Sequence, residues 1–323
     1  MPHFDIITIG SATQDVYLFG KALRVKRDAT SPTGSTLAVP FGAKIELDRM
    51  LVEVGGGGTN TAVTFSRLGL RTACVVKVGN DAAGDHVIRI LREHKVSSRF
   101  VIRDHDDPTA MSTFFLAPNG ERTVFVFRGA SADFHERMVP WADLAARWYY
   151  VSSVGGELNF IRRAIAHAKK THAHIAVNPG KRELQQRSAA MRVLRDADVL
   201  LVNQEEAQLF FQKKGHALVK AISAWRKGIV VVTNAEKGSW AVTERGMWQV
   251  RIKPVKAVDT TGAGDAFGSG FVAGLAKRPG DIAYALRLGS INGASVVTQL
   301  GAKHGLITHH IPHGPWMRVV EPK

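Results

Sequence analysis

Short apolar runs alternate with longer amphipathic stretches along most of the chain, and this pattern predicts its secondary structure. Buried strands are predicted at 4–9, 72–78, 148–151, 175–177, 199–201 and 229–233. Apolar residues three or four positions apart predict helices at 82–94, 158–170, 181–194, 205–214 and 218–227. Such alternation is typical of an α/β protein, in which helices cover both faces of a mostly parallel sheet. Ligands bind these sheets at the carboxyl ends of strands, where we find Asn178, Asn203, Glu206 and Thr233.

Other segments do not follow this alternation. Short strands are predicted at 50–54, 99–103, 111–116 and 123–127, and Asn119-Gly120 predicts a tight turn between the last two. Residues 20–44 are basic and rich in Ser, Thr, Pro and Gly. That composition indicates an excursion from the main body of the fold rather than a core element.

A glycine-rich turn lies between a predicted strand at 248–258 and a predicted helix that begins near Ala266. It reads Gly262-Ala263-Gly264-Asp265. The first N–H groups of a helix have no partner within the helix, and small side chains let an anion approach them. A carboxylate beside an anion site is useful when it takes a proton from a hydroxyl that attacks a phosphoryl group. This combination points to a kinase.

Two other interpretations of this turn stay open. Asp265 is also a favourable charge at the positive end of the helix dipole, with no further role. The glycines also approximate a dinucleotide-binding turn, although such a turn normally lies in an early βαβ unit. The position in the last fifth of the chain, followed by more helix, disfavours the second interpretation.

A second glycine-rich turn follows the predicted strand at 50–54 and reads Gly55-Gly56-Gly57-Gly58-Thr59-Asn60. It lacks the lysine of a P-loop. One interpretation is a bare backbone surface for a polyhydroxylated ligand, with Asn60 as hydrogen-bond donor and acceptor. The other is a tight turn in which Asn60 only caps the next helix.

Composition narrows the possible functions. The single cysteine, Cys74, excludes a disulfide framework and favours a reducing, cytoplasmic location. We identify no signal peptide and no apolar stretch long enough for a membrane helix. The net charge of +15 attracts polyanions, but the basic residues are scattered and not interleaved with aromatic residues, and this pattern disfavours the alternative of a nucleic-acid-binding protein. The spacing of His309-His310 and His313 is poor for a metal site.

Four motifs in this order resemble the ribokinase-like (PfkB) carbohydrate kinases over essentially the whole chain. They are the turn at 55–60, Asn203-Gln204-Glu205-Glu206, Thr233-Asn234-Ala235-Glu236-Lys237-Gly238, and Asp259-Thr260-Thr261-Gly262-Ala263-Gly264-Asp265. The resemblance implies a single kinase domain over residues 1–323. It implies a three-layer α/β sandwich with a mostly parallel central sheet, and a small β-sheet lid from residues about 14–50 and 100–130.

The resemblance also implies ATP-dependent phosphorylation of a hydroxymethyl group on a sugar, and it assigns residues to that reaction. The general base and the backbone anion hole would be Asp265 with Gly262, Ala263 and Gly264. The acceptor would contact Asp15, Gly55, Gly56 and Asn60. The nucleotide would contact Asn203, Thr233, Lys237, Gly238 and Ser290. Mg²⁺ would be held through water by Asn203 and Glu206, and a monovalent cation, suggesting K⁺ activation, by Asp259, Thr261, Val296 and Gly301.

The sequence departs from the family mainly around the acceptor. Thr13 replaces an asparagine that is usual in ribokinases, and Ser152-Ser153-Val154-Gly155-Gly156 lacks their carboxylate. A nucleoside kinase is therefore the alternative, with an apolar slot from Phe19, Phe41 or Phe114. A phosphosugar kinase would use Arg24, Arg27 or Arg128 for a second phosphate. A homodimer through the lid is also expected from the family.

Overall fold

A computed structural model describes residues 3–117, 122–252, 254–308 and 318–320. Its largest sheet has nine strands in the order β17-β16-β15-β14-β13-β12-β11-β1-β6. These are β1 (Phe4–Ile9), β6 (Thr72–Val75), β11 (Ala146–Val151), β12 (His174–Val177), β13 (Val199–Asn203), β14 (Ile229–Thr233), β15 (Ser239–Thr243), β16 (Gly246–Arg251) and β17 (Arg318–Val320). Six neighbouring strands run parallel, in the spatial order β6, β1, β11, β12, β13 and β14. The sheet then continues with antiparallel pairing through β15, β16 and β17.

Helices cover both faces of this sheet. They are α1 (Gly57–Arg67), α2 (Ala82–Glu93), α3 (Leu158–Lys170), α4 (Lys181–Gln185), α5 (Arg187–Leu194), α6 (Gln204–Phe211), α7 (Gly215–Trp225), α8 (Ala263–Lys277) and α9 (Ile282–Val296). Side chains alternate between the faces, so Tyr149 packs with residues of α3, α5, α6 and α7, whereas Tyr150 packs with α1, α8 and α9. Both tyrosines are buried, which is typical of a sheet with a core on each side.

A second sheet has four strands in the order β10-β9-β2-β5. They are β2 (Thr13–Phe19), β5 (Arg49–Gly55), β9 (Met111–Leu116) and β10 (Arg122–Phe127). Two short pairs complete the β structure: β3 (Arg24–Arg27) with β4 (Ser35–Ala38), and β7 (Lys77–Gly79) with β8 (Ile102–Asp104). The mostly parallel sheet with its helices and the small separate sheet confirm the predicted fold class.

Several predicted elements are shorter or divided in the structure, and the strand predicted at 99–103, for example, is reduced to Ile102–Asp104. The run at 72–78 splits into β6 and β7, because Lys77 is buried in an ion pair with Asp104 rather than in the apolar sheet. The helix predicted at 181–194 breaks at Gln186, whose side chain donates to the carbonyl of Gly156. The strand predicted at 248–258 ends at Arg251, shortly before Pro254, which has no N–H group for a strand ladder.

Two sequence predictions fall outside the described residues. They are the turn at Asn119-Gly120 and the histidines at 309, 310 and 313. The strands β9 and β10 on either side of that turn do pair antiparallel, as a hairpin requires. Within the described ranges, no helix combines the length and the apolar character needed to cross a bilayer.

Candidate active site

The predicted anion-binding turn lies at the N-terminus of α8. Gly262 has a φ of +74°, a left-handed conformation that favours glycine, and a Cβ there would lie 2.4 Å from the Cβ of Ala302. A Cβ on Gly264 would have no neighbour within 4 Å, so this residue borders open space. The first N–H groups of α8 therefore sit beside a site that an anion can enter.

Asp265 occupies the first turn of α8 and approaches the other glycine-rich turn. Its Oδ2 accepts a hydrogen bond of 2.9 Å from Asn60 Nδ2. A Cβ on Gly57 would lie 3.3 Å from Asp265 Oδ1. Burial raises the pKa of Asp265 above its ordinary value, although Asn60 and Lys303 favour its ionised form. The carboxylate is therefore a stronger base than an exposed aspartate.

The turn at 55–58 is made of glycine because other groups lie very close to it. Gly56 has a φ of +90°, and a Cβ there would lie 2.5 Å from the carbonyl oxygen of Ser11. A Cβ on Gly55 would clash with the carboxylate of Asp15. Asp15 is buried on β2, which raises its pKa, and it accepts a hydrogen bond of 2.8 Å from Thr13 Oγ1. The predicted acceptor residues Asp15, Gly55, Gly56 and Asn60 therefore lie together.

Lys303 is a site residue that sequence reasoning missed. It is buried, and its Nζ donates hydrogen bonds to Val54 O, Thr59 Oγ1 and Asn60 Oδ1. Burial lowers its pKa to about 8, although Asp15 and Asp265 favour the charged form. The segment around Lys303 has neither a motif nor a period, so the only signal was a lysine among small residues.

A cavity of about 340 Å³ contains the predicted phosphoryl-transfer residues. Its lining includes Asn203, Glu206, Thr233, Gly262, Ala263, Gly264 and Asp265. Asn203 Oδ1 accepts from the Glu206 backbone N–H, and Glu206 Oε2 accepts from the Asn203 backbone N–H, each at 2.9 Å. This reciprocal capping box fixes both side chains at the cavity wall.

The oxygen atoms at the wall of this cavity suit a Mg²⁺ ion that keeps several of its water ligands. One Glu206 oxygen is used in the capping box, and the other is available as an oxygen ligand. In the described part of the chain, no group of three or more His, Cys, Asp or Glu could hold a metal. A Mg²⁺ ion that keeps most of its waters and is shared with phosphates fits this arrangement, whereas an all-protein metal cage does not.

A second cavity of about 440 Å³ adjoins the first, and the residues that line both are Thr233, Thr260, Ala263, Gly264 and Phe267. Much of its remaining wall is apolar and includes Val255, Ala257, Ala294 and Val297. The predicted nucleotide residues Gly238 and Ser290 also line it. Lys237, by contrast, is exposed on a turn and lines neither cavity.

The predicted monovalent-cation residues surround a carboxylate that the protein already satisfies. Asp259 Oδ1 accepts from the backbone N–H and the hydroxyl of Thr261, at 2.9 and 2.7 Å. Its Oδ2 accepts from the Gly301 N–H at 3.0 Å and from the Tyr17 hydroxyl at 3.5 Å. The Arg122 guanidinium lies 3.5 Å from Oδ1. A carboxylate has about four acceptor positions, so these donors leave its oxygens little room for a cation. Val296, the fourth predicted residue, is buried at the end of α9.

The aromatic residues proposed for a nucleoside slot lie in three different environments. Phe114 is buried and stacks on Tyr17, with ring centroids 4.4 Å apart. Phe41 is fully exposed, and the guanidinium of Arg49 lies over the ring of Phe19. The arginines proposed for a second phosphate (Arg24, Arg27 and Arg128) line neither cavity.

Comparisons with known proteins bear on the family and on the fold of this chain. The model of the pfkB family carbohydrate kinases matches residues 13–309. An uncharacterised sugar kinase of Archaeoglobus fulgidus is 31% identical over 252 residues, which cover 75% of this chain and 97% of the relative. A fructokinase of Vibrio alginolyticus is 28% identical over 79% of this chain and 88% of the relative. An E. coli protein provisionally named ribokinase II, solved with ATP and Mg²⁺, superposes with a TM-score of 0.76 at 20% identity and covers 94% of this chain and 95% of its own.

Proposed function

Because the chain belongs to the PfkB family of carbohydrate kinases, we propose that it transfers the γ-phosphoryl group of ATP to a hydroxymethyl group of a sugar. One observation carries the proposal. The half-buried carboxylate of Asp265 shares a cavity with the first residues of α8 and with Glu206. A base, an anion site and an oxygen ligand for Mg²⁺ are the parts that phosphoryl transfer to an alcohol needs.

In the proposed reaction Asp265 accepts the proton of the acceptor hydroxyl. The hydroxyl oxygen forms a bond to the γ-phosphorus while the bond to the β,γ-bridging oxygen breaks, and ADP leaves with that electron pair. The N–H groups at the start of α8, from Gly262 to Gly264, would stabilise charge on the transferred phosphoryl group. Mg²⁺, when bound beside Glu206, neutralises phosphate charge.

A sugar fits the acceptor side better than a nucleoside does. Asp15 and Asn60 offer polar groups for hydroxyls, and one proton of the Asn60 amide remains after its bond to Asp265. A nucleoside base would need an apolar slot, yet Phe114 is already stacked on Tyr17. The polar groups of Asp15 and Asn60, together with the stacking of Phe114, therefore support a small polyhydroxylated acceptor.

The test is ADP formation by the purified protein with ATP, Mg²⁺ and a panel of pentoses, hexoses and nucleosides. We expect turnover with one or more free sugars and little with nucleosides. Asp265→Asn should lower kcat by about 10²- to 10⁴-fold, the usual contribution of a general base, while ATP still binds in calorimetry. Turnover with nucleosides alone would refute the acceptor, and near-normal turnover of the variant would refute the base.

We further propose that two copies associate through the small sheet. β10 is an edge strand, and Val124, Phe125, Val126 and Phe127 on it are exposed. An apolar edge strand is a ready template for pairing with another chain. Light scattering should give the mass of a dimer, and Phe125→Asp should shift it to a monomer. A monomeric parent protein would contradict this proposal.

A further inference from the structure

Lys303 has all of its hydrogen bonds inside the protein. A charged ammonium group has three donors and no acceptor. Lys303 matches them with three acceptors: the carbonyl of Val54, the hydroxyl of Thr59 and the amide oxygen of Asn60. No donor remains for a substrate, so Lys303 acts through its neighbours rather than by touching the reacting groups.

One of those neighbours links Lys303 to Asp265. The side-chain amide of Asn60 has an acceptor end and a donor end. Lys303 takes the acceptor end, which leaves the donor end to face Asp265 at 2.9 Å. If the amide were reversed, its oxygen would face the carboxylate and its NH₂ group would face the ammonium, and both contacts would be repulsive. The lysine therefore fixes the direction of the amide.

The positive charge of Lys303 also favours the ionised form of Asp265. The groups facing it are Asp15 from β2, Glu53 from β5, Asp265 from α8 and the buried thiol of Cys74 from β6. Two of these carboxylates, Asp15 and Asp265, are buried enough that burial raises their pKa. A cation between them favours the ionised form of both.

We propose that Lys303 is a positioning residue of the phosphoryl-transfer site, which holds the Asp265 carboxylate in its reactive orientation through the amide of Asn60. The inference rests on the proposed role of Asp265 as the base. It adds to that role a chain of contacts from a residue 243 positions away from Asn60 along the sequence. It also explains why a lysine is buried in an otherwise small-residue segment.

The experiment measures kcat, KM and thermal unfolding for Lys303→Met, Asn60→Ala and the double variant. Methionine has a similar length and lacks the charge and the donors. Lys303→Met should lower kcat on the order of 10²-fold, the loss typical of a misplaced reacting group, with KM for ATP little changed. Because both residues act through one chain of contacts, the double variant should lose little more than the worse single variant.

Lys77 provides a matched control for the cost of losing a buried lysine. It is as buried as Lys303, with 4% of its surface exposed, and its ion pair with Asp104 lies outside the site. Lys77→Met should therefore lower the unfolding temperature without a comparable loss of kcat. The pH profile gives a second readout, since removing the cation at 303 should move the acid limb of kcat/KM to higher pH.

The outcomes separate this inference from the proposed function. If Lys303→Met keeps normal kcat while Asp265→Asn loses it, Lys303 has no positioning role but the base assignment stands. If Asp265→Asn keeps normal kcat, the base assignment itself is wrong. Independent, multiplying losses for Lys303→Met and Asn60→Ala, or an unmoved acid limb, would likewise overturn the inference.

Discussion

Gly57 is a position where a single added methyl group should meet both a packed side chain and the proposed base. A Cβ there would lie 2.7 Å from Ser152 Oγ, 2.8 Å from Ser152 Cβ and 3.3 Å from Asp265 Oδ1. Distances below 3.0 Å require a neighbour to shift. Ser152 is buried, and its hydroxyl donates to the carbonyl of Ile9, so the shift disturbs packed structure. Gly57→Ala therefore combines overpacking with a close contact to Asp265, the proposed base.

The expected size of the effect follows from these contacts. Overpacking a filled site typically costs about 1–3 kcal/mol of unfolding free energy, which corresponds to about 2–4 °C in Tm for each kcal/mol. The 3.3 Å contact requires Asp265 to shift by only a few tenths of an ångström, and because a displacement of 1 Å can cost on the order of 10²-fold in rate, the expected loss of kcat is smaller than that. We expect Gly57→Ala to lower both Tm and kcat.

Introducing Gly57→Ala into a Ser152→Gly variant separates the contact with Ser152 from the contact with Asp265. Ser152→Gly removes the hydroxyl and the Cβ that the new methyl group would meet. In that background Gly57→Ala should cost much less stability, because only the contact with Asp265 remains, but kcat should still fall. Calorimetric unfolding and ADP release measure the two effects. Equal losses of Tm in both backgrounds would refute the proposed close approach of Gly57 and Ser152.

Three further predictions concern ionisation and ions. Burial raises the pKa of Asp265, and only the ionised form accepts a proton, so kcat/KM should fall as pH decreases through a midpoint above 3.8; a pH-rate profile with no such limb above 3.8 would contradict this. Glu206→Gln keeps an oxygen for the Asn203 N–H but loses the charge, and it should raise the Mg²⁺ concentration for half-maximal activity about tenfold or more; an unchanged Mg²⁺ titration would exclude this role. Because Arg122 already lies beside Asp259, activity should be similar in potassium and tetramethylammonium salts. Arg122→Met should then increase the dependence of activity on K⁺. Strong K⁺ activation of the parent protein would show that Arg122 does not compensate the charge of Asp259.

Local backbone requirements made much of the site predictable from the sequence. Gly56 and Gly262 adopt positive φ values, and Gly57 lies against a carboxylate, so these positions appear in the sequence as glycines at strand-to-helix turns. Asn203 and Glu206 were equally visible, because a capping box and a metal-binding pair have the same spacing. The structure shows the capping box, and the same geometry leaves a Glu206 oxygen at the cavity wall.

The contacts that could not be predicted join segments far apart in the chain. Lys303 meets Asn60, and Arg122 meets Asp259, over separations of 243 and more than a hundred residues. Neither Lys303 nor Arg122 belongs to a motif or a periodic pattern, and single charged residues occur throughout a chain with 43 lysines and arginines. Their role depends on which loops the fold brings together, and no local feature of the sequence records that.

These long-range contacts also hold one end of the small sheet to the core. β5 leads from that sheet directly into the glycine turn and α1, and its last residues contact the C-terminal segment twice. Lys303 donates to the carbonyl of Val54, and His304 Nε2 lies 2.9 Å from Glu53 Oε1. The end of β5 is therefore fixed to the core beside Asp265. If the small sheet closes over the acceptor, we expect the chain to bend before Glu53, so that Asn60 and the proposed base keep their relative positions.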